Sequence, residues 1–301
     1  MRHLGTQHRK PLSSLLIPYS FLVPWLVALG VFYFGAIGYT IVLSLMKYNL
    51  IAGGSFIGLD NYRNVFADKL FWLSLKNTLV FLVMFIPANL VVSLSIAMLL
   101  NKQTRTVGLN RLMIYLPAVI PSVAGAMLIR LVFIPSGIVN GLLEIVGIEG
   151  PFWLSNPHLI KTTSVLFMLW LCGTSVVIYL AGLKSIPTTY YEVGIIDGIG
   201  PLRKFFSITL PMLSPTIFFR LVIDVIVGLM IMIPGLVLPV PRVPGGPANA
   251  SRFYAIHLYD KAFKRFLLGE GSALAIVLLC LCALITYFII RLGERRVYYE
   301  I

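Results

Sequence analysis

Residues Asn77–Asn101 read NTLVFLVMFIPANLVVSLSIAMLLN, 25 residues without one Asp, Glu, Lys or Arg. At 1.5 Å rise per residue, about 20 such residues cross a hydrocarbon layer of about 30 Å. Working outward, the same charge-free character recurs in Pro11–Met46, Leu112–Ile129, Thr162–Leu183, Val225–Pro241 and Gly271–Ile290. The whole chain of 301 residues is 58% apolar and only 12% charged, with a mean hydropathy of +0.92. A soluble domain carries about 25% charged residues, so the chain reads as an all-α integral membrane protein.

Six spans are predicted at Leu15–Met46, Asn77–Leu100, Leu112–Phe133, Thr162–Leu183, Met212–Leu238 and Ser272–Arg291. Residues 1–14 and 292–301 are then tails on either side of one membrane domain, 15–291. Arg2, Arg9 and Lys10 mimic the start of a secretory signal, but the apolar stretch behind them far exceeds the ~7–15 residues of a signal core. It reads as a retained first span. Cys172, Cys280 and Cys282 all fall within apolar runs and behave there as small hydrophobes, so neither disulfides nor a metal site is expected. His158 and His257 have no Cys or His at ligand spacing, which gives metal binding no support either.

The net charge of +13 would suggest nucleic acid in a soluble protein. In a membrane protein it is first a question of sidedness. With the amino terminus inside, the inner segments carry twelve Lys and Arg, among them Lys102, Arg105 and Arg111, and the outer segments carry eight. That balance favours an N-terminus in the cytoplasm and offers no nucleic-acid role. Two outer stretches look helical rather than bare. Gly58–Phe66, followed by Phe71 and Trp72, mixes aromatic and charged residues as headgroup-level helices do. In 255–266, Ile256, Tyr259, Phe263 and Phe266 recur at helical spacing around Lys261, Lys264 and Arg265, an interfacial helix facing anionic headgroups or an acidic protein.

The longest inner loop, residues 184–211, reads KSIPTTYYEVGIIDGIGPLRKFFSITLP. Pro187 and two Thr predict a capped helix start with Glu192 in its first turns and an end near Asp197. Gly198 and Gly200 permit a sharp turn, Pro201 opens a second short helix, and Leu202, Phe205, Phe206 and Ile208 give it an apolar face. The loop is a helix–turn–helix device on the membrane surface, with carboxylates available to another protein.

This loop resembles the cytoplasmic signature of binding-protein-dependent ABC importer permeases: a Glu-Ala-Ala helix, a Gly about six residues after its Glu, and a distal Ile-x-Leu-Pro. Asp197-Gly198 and Ile208-Thr209-Leu210-Pro211 match closely; Glu192-Val193-Gly194 departs at the two Ala positions. Gly58-Leu59-Asp60-Asn61-Tyr62, Asn77-Thr78, Leu99-Leu100-Asn101-Lys102, Leu116-Pro117, Trp153-Leu154, Ala181-Gly182-Leu183, Ile186-Pro187, Gly245-Gly246-Pro247 and Ser272-Ala273 resemble, in order, landmarks of the carbohydrate-importing branch. The resemblance implies a permease half that pairs with a second, similar permease in a prokaryotic cytoplasmic membrane. Two ATPase subunits, holding ATP and Mg, would dock on Tyr191, Glu192, Val193, Gly194, Asp197, Gly198, Leu210 and Pro211. An extracytoplasmic binding protein would deliver a sugar, oligosaccharide or polyol. No Gly-Lys dipeptide occurs anywhere, so the chain has no Walker-type phosphate loop; it is expected to be non-catalytic, with no cofactor of its own.

Arg220 and Asp224, four residues apart in the fifth span, lie on one helix face and are close enough to pair. They read either as pathway-lining groups or as a self-neutralising pair near the inner interface. Asn89, Ser122, Thr174 and Ser175 are further polar candidates for the pathway, weighed against packing at helix contacts. Pro234, Pro239, Pro241, Pro244 and Pro247 predict a broken helix end leading into the last outer loop. The alternative from another class is a secondary transporter driven by an ion gradient. It would require ionisable coupling groups at mid-membrane and often an inverted repeat; only Arg220 and Asp224 approach the first, and no repeat is visible.

Overall fold

The computed structural model describes residues 21–49, 53–102, 105–241, 243 and 245–293. The predicted tail 1–14, the start of the first span, and all but the first two residues of the tail 292–301 lie outside them, as do Arg242 and Pro244.

Helix α1 (Val23–Ser44) leads into a hairpin in which β1 (Met46–Asn49) pairs antiparallel with β2 (Gly53–Phe56), Met46 opposite Phe56. The hairpin is the one departure from an all-α chain among the described residues. Asn61 fixes the exit of α1 by donating from Nδ2 to the carbonyls of Ser44 (2.8 Å) and Met46 (2.9 Å). That Asn belongs to α2 (Asp60–Ala67), the short helix expected from the aromatic and charged pattern there.

Helix α3 (Lys69–Asn101) has 33 residues, or about 50 Å at 1.5 Å each, longer than a hydrocarbon layer. Asp68 starts it by accepting a hydrogen bond from the Leu70 N–H at 2.8 Å, a side-chain cap for an otherwise orphaned amide. Helix α3 is the axis of the bundle. Against it pack α7 (Ile160–Trp170), α8 (Gly173–Ser185), α11 (Ser214–Leu229) and α13 (Tyr254–Tyr259). Leu94, Ala97 and Leu100 of α3 meet Val176, Tyr179, Leu180 and Leu183 of α8 in the largest buried apolar cluster. The last span is α14 (Leu268–Gly293), against which α1 lies.

Three of the six predicted spans are broken rather than continuous. The third is two helices, α4 (Val107–Val119) and α5 (Ser122–Phe133), divided at Ile120-Pro121. Pro121 has no N–H to continue the ladder and its ring obstructs the preceding turn. The fourth bends by 51° between α7 and α8. There a Cβ on Gly173 would sit 2.7 Å from the Ile114 carbonyl, so only glycine lets α8 approach α4 so closely. The fifth stops at Leu229 and resumes as α12 (Ile233–Val237), with Pro234 in its first turn; this is the broken helix end that the prolines predict. One helix was not foreseen: α6 (Ile138–Ile145), which with α5 makes an apolar stretch, Ser122–Ile145, long enough to cross a membrane, so the third span runs beyond its expected end at Phe133.

Candidate functional site

Two places hold the predicted site residues. The first is the loop at the end of the bundle remote from the hairpin. Helix α9 (Thr188–Ile196) begins without a side-chain cap, its flanking residue being Pro187; the expected Thr capping is absent, and Glu192 falls beyond the first turn. Its other end is closed by the backbone. Ile199 N–H donates to the Gly194 carbonyl (2.9 Å) and Gly198 N–H to that of Ile195 (3.0 Å), with Gly198 at φ +67°. This paired closure needs the left-handed conformation that glycine supplies. The chain then re-enters helix as α10 (residues 201–212), with Pro201 in the first position and a wider π-helical turn at Phe205–Thr209. The two helices are tied by Tyr191 Oη and Thr209 Oγ1 at 3.2 Å and by Gly194, buried against Ile208.

Glu192, Val193, Asp197, Gly198 and Pro211 are exposed; Tyr191 and Leu210 are half-buried. Beside them project apolar side chains that the sequence pattern did not assign to a surface: Ile195, Ile196 (84% exposed), Leu202 (75%) and Phe206 (61%). Of the second helix's expected apolar face, Leu202 and Phe206 point out, while Phe205 and Ile208 are half-buried. The arrangement is a knob on which the carboxylates of Glu192 and Asp197 and the exposed Arg203 stand beside apolar side chains.

The second place lies within the bundle. Arg220 is 8% exposed and Asp224 2%, and the guanidinium Nη2 stands 2.6 Å from Asp224 Oδ1. Asp224 Oδ2 accepts from Asn89 Nδ2 at 2.8 Å, Asn89 Nδ2 also reaches Ser175 Oγ at 3.2 Å, and Ser93 Oγ donates to Asn89 Oδ1 at 2.9 Å. Asn89 is 20 residues into α3, about 30 Å from its start and about 18 Å from its end, so the cluster sits at membrane depth. Ser93 was missed, although its i,i+4 spacing from Asn89 is a signal for one helix face.

Beside this cluster is a cavity of about 240 Å³ lined by Asn89, Ser122, Thr174, Ser175, Arg220, Cys172 and apolar side chains. It opens where α4 breaks from α5 and where α7 breaks from α8. Four of the five predicted pathway residues, Asn89, Ser122, Thr174 and Arg220, thus share one space; Asp224 stands behind it. Cys172 borders the cavity, whereas its apolar surroundings in sequence suggested only a packed hydrophobe. Arg220 is no snorkelling cation, since it is buried on its Asp224 partner.

At the hairpin end, α13 does not lie loose at an interface. Tyr254 and Ile256 are fully buried, the Tyr254 N–H donates to Thr78 Oγ1 (2.9 Å), and Asn77 Nδ2 donates to the carbonyls of Asn249 (2.9 Å) and Arg252 (3.1 Å). Lys261, expected to face headgroups or a partner, bridges Asp68 (3.2 Å) and Glu270 (2.8 Å), and Arg265 pairs with Asp260 at 3.3 Å. Burial disfavours the Lys261 charge, but hydrogen bonds and attraction from the two carboxylates raise its pKa. Burial likewise raises Asp68, outweighed by the Leu70 N–H and Lys261, which leave it below its usual value. Burial pushes the His257 imidazole, 3.6 Å from Asp68, down to about 4, so it is neutral at pH 7.

Residues 89–299 match the family of binding-protein-dependent transport system inner membrane components. The chain belongs to this family. It is therefore a membrane-embedded permease component of an ABC importer, and the ion-gradient alternative is set aside. Over 95% of its length the permease is 36% identical to a probable ABC transporter permease protein, YesP, of Bacillus subtilis, covering 93% of that protein. It is 29% identical to the sulfoquinovosyl glycerol transport system permease protein SmoG of Agrobacterium fabrum, covering 95% of this chain and 92% of that one. Its fold is that of a chain in the crystal structure of a bacterial alginate ABC transporter bound to an alginate pentasaccharide-loaded periplasmic protein. The TM-score is 0.84 at 21% identity, over 96% of this chain and 98% of the other.

Proposed function

We propose that this permease forms half of the membrane pathway for a sugar, oligosaccharide or related polyol. A second homologous permease supplies the other half, two ATPase subunits bearing ATP and Mg supply the energy, and an extracytoplasmic binding protein delivers the solute. The N-terminus lies in the cytoplasm of a prokaryote, so the 184–211 loop faces inward and the hairpin outward. The observation that carries the reading is the knob of α9 and α10. It presents Glu192, Asp197 and four apolar side chains at the end of the bundle, a surface suited to a protein partner rather than to water. Tyr191, Glu192, Val193, Gly194, Asp197, Gly198, Leu210 and Pro211 form or support it. Closure of the ATPase pair would move two such knobs together and rock the permease halves about the cavity, exposing it alternately to each side.

Asn89, Ser122, Thr174, Arg220 and Asp224 line or brace that pathway. Sugar hydroxyls both donate and accept, and the cavity offers amide, hydroxyl and guanidinium partners. Relatives named for sulfoquinovosyl glycerol transport and lactose transport support a carbohydrate-derived solute. The test is purification of the tagged chain from its native membrane in mild detergent, with identification of what accompanies it and an ATPase assay. Recovery of a second permease and an ATPase whose activity rises with sugar-loaded binding protein is expected. Recovery of the chain alone, inert to ATP, would overturn the reading.

A further inference from the structure

At the end of the bundle that carries the knob, a cavity of about 360 Å³ opens between α3, α4, α8 and α9, with Lys102, Arg111 and Lys184 in its wall and no Asp or Glu. Among the described residues none of these three cations is in an ion pair. Lys102 and Lys184 are exposed. Arg111 Nη2 donates to the Leu100 carbonyl at 3.5 Å, a neutral acceptor that orients the guanidinium and leaves its charge uncompensated. Lys102 directly follows α3 and Lys184 lies in the last turn of α8, where a cation complements the helix dipole. Arg111 lies one turn into α4, where the dipole gives no reason for a cation. Beside it Leu109, Leu112 and Leu116 recur at i, i+3 and i+7 along one face of α4, and all three are exposed. A cationic cavity thus adjoins an uncovered apolar stripe.

Resting on the reading of this end of the bundle as the cytoplasmic face, we infer that the cavity seats the phosphate of an anionic phospholipid of the inner leaflet, with the acyl chains along Leu109, Leu112 and Leu116. Basic pockets between membrane helices on this side hold such headgroups, and each Lys or Arg near the surface contributes about fivefold in affinity. Phosphatidylcholine has the same phosphate but neutralises it with its own ammonium; phosphatidylglycerol does not. A free phosphate would meet the cations and leave the stripe bare, whereas the lipid matches both. Thr188 and Tyr191, also in the wall, put the headgroup against the first turn of α9, at the base of the knob.

The experiment uses the complete importer in nanodiscs, with a bimane fluorophore on Met113→Cys and the other cysteines of the complex replaced by Ser. Met113 is exposed on α4 and lies outside the cavity wall. Quenching by phosphatidylglycerol with brominated chains is compared with quenching by brominated phosphatidylcholine. Phosphatidylglycerol is expected to bind about tenfold better or more. Lys102→Gln/Lys184→Gln, which changes exposed side chains alone and so spares folding, should remove most of that preference, and added Arg111→Gln the rest. Arg291→Gln, an exposed cation in the last turn of α14 outside the cavity, should leave it unchanged. Equal quenching by the two lipids overturns the inference, as does quenching by neither, which would mean that another subunit covers this face. A loss in Arg291→Gln as large as in the lysine pair would show a diffuse surface field instead of a site. A preference erased by millimolar inorganic phosphate, but not by chloride at equal ionic strength, would make the ligand a soluble anion and overturn the lipid. The readout needs no ATP turnover, and a nanodisc exposes both faces. Sidedness is read separately: labelling of Thr189→Cys in intact cells by an impermeant maleimide would refute the cytoplasmic placement and leave the lipid preference standing.

Discussion

Replacing Asp224 by Leu in the assembled permease should cost about 3–5 kcal/mol, because it removes one member of a buried pair and leaves the other charged. The magnitude follows from the geometry. Arg220 is 8% exposed and pairs with Asp224 at 2.6 Å, so little solvent screens the stranded guanidinium. Arg220→Leu strands the carboxylate instead, softened by Asn89, which still donates to it. The double variant Arg220→Leu/Asp224→Leu removes both charges. What remains is one hydrogen bond lost by Asn89, which keeps Ser175, or about 1 kcal/mol. The cycle should therefore show a coupling of at least about 2–4 kcal/mol, to which the cost of Arg220→Leu adds. The assay is heating of the solubilised complex followed by size-exclusion of the surviving fraction. The single variants should lose stability on the order of 10 °C and the double variant far less. Uptake should stay lost in the double variant, since its cavity no longer has a cation. A double variant as unstable as the two single losses added would refute the pairing; a stable double variant with normal uptake would refute the pathway role.

Gly198→Val forces a β-branched residue into φ +67°; it should leave expression intact but abolish stimulation of ATP hydrolysis by loaded binding protein, and normal stimulation would count against the knob as the ATPase contact. Gly173→Val drives a side chain into the Ile114 carbonyl and should destabilise the chain by about 1–3 kcal/mol or more, read as a lower melting temperature; an unchanged one would mean that α4 and α8 do not approach so closely. Lys261→Met leaves Asp68 and Glu270 without their shared cation and should lower thermal stability more than Glu270→Gln does, the reverse order being the refuting result. His257, neutral in the fold with its pKa at about 4 against an ordinary 6.5, contributes stability that is complete above pH 6.5 and declines as pH falls toward 4; His257→Gln should flatten the melting-temperature profile in that window.

The spans were legible because a charge-free run of about 20 residues matches the thickness of a hydrocarbon layer and outruns most core helices. Their breaks were less so, and the reason is that proline alone does not decide. Pro87 sits inside α3 and the helix continues through it, whereas Pro121 ends one helix and starts another. The difference lies in what surrounds each. Pro87 is held within the axis of the bundle, while α4 leans on α8 and α5 on α12, which draws the two apart. The Arg220–Asp224 pair could be read from its i,i+4 spacing, but its third partner, Asn89, lies 135 residues away in sequence, and no local pattern encodes that contact. The loop 184–211 was read nearly to the residue because its punctuation, Pro187, Gly198 and Pro201, acts through local backbone conformation. The outward turn of Leu202 and Phe206 was not, since periodicity identifies a face without saying what covers it. Lys261 shows the same limit: a basic residue beside aromatic ones resembles a headgroup anchor until Asp68 and Glu270 are brought in from other elements.

Helix α1 has one buried residue among those described, Ser44 at its very end, and packs chiefly on α14. It lends no side chain to the mid-bundle cavity and none to the knob. The chain thus carries an outrigger, tied at its end through Asn61, beside the parts that hold the cavity and the knob. The outward face of α1 can drift, or be redesigned, to suit whatever neighbour it meets without disturbing either the path for solute or the contact that drives it. A substitution on that face changes what the permease presents to its surroundings and leaves its cargo route untouched.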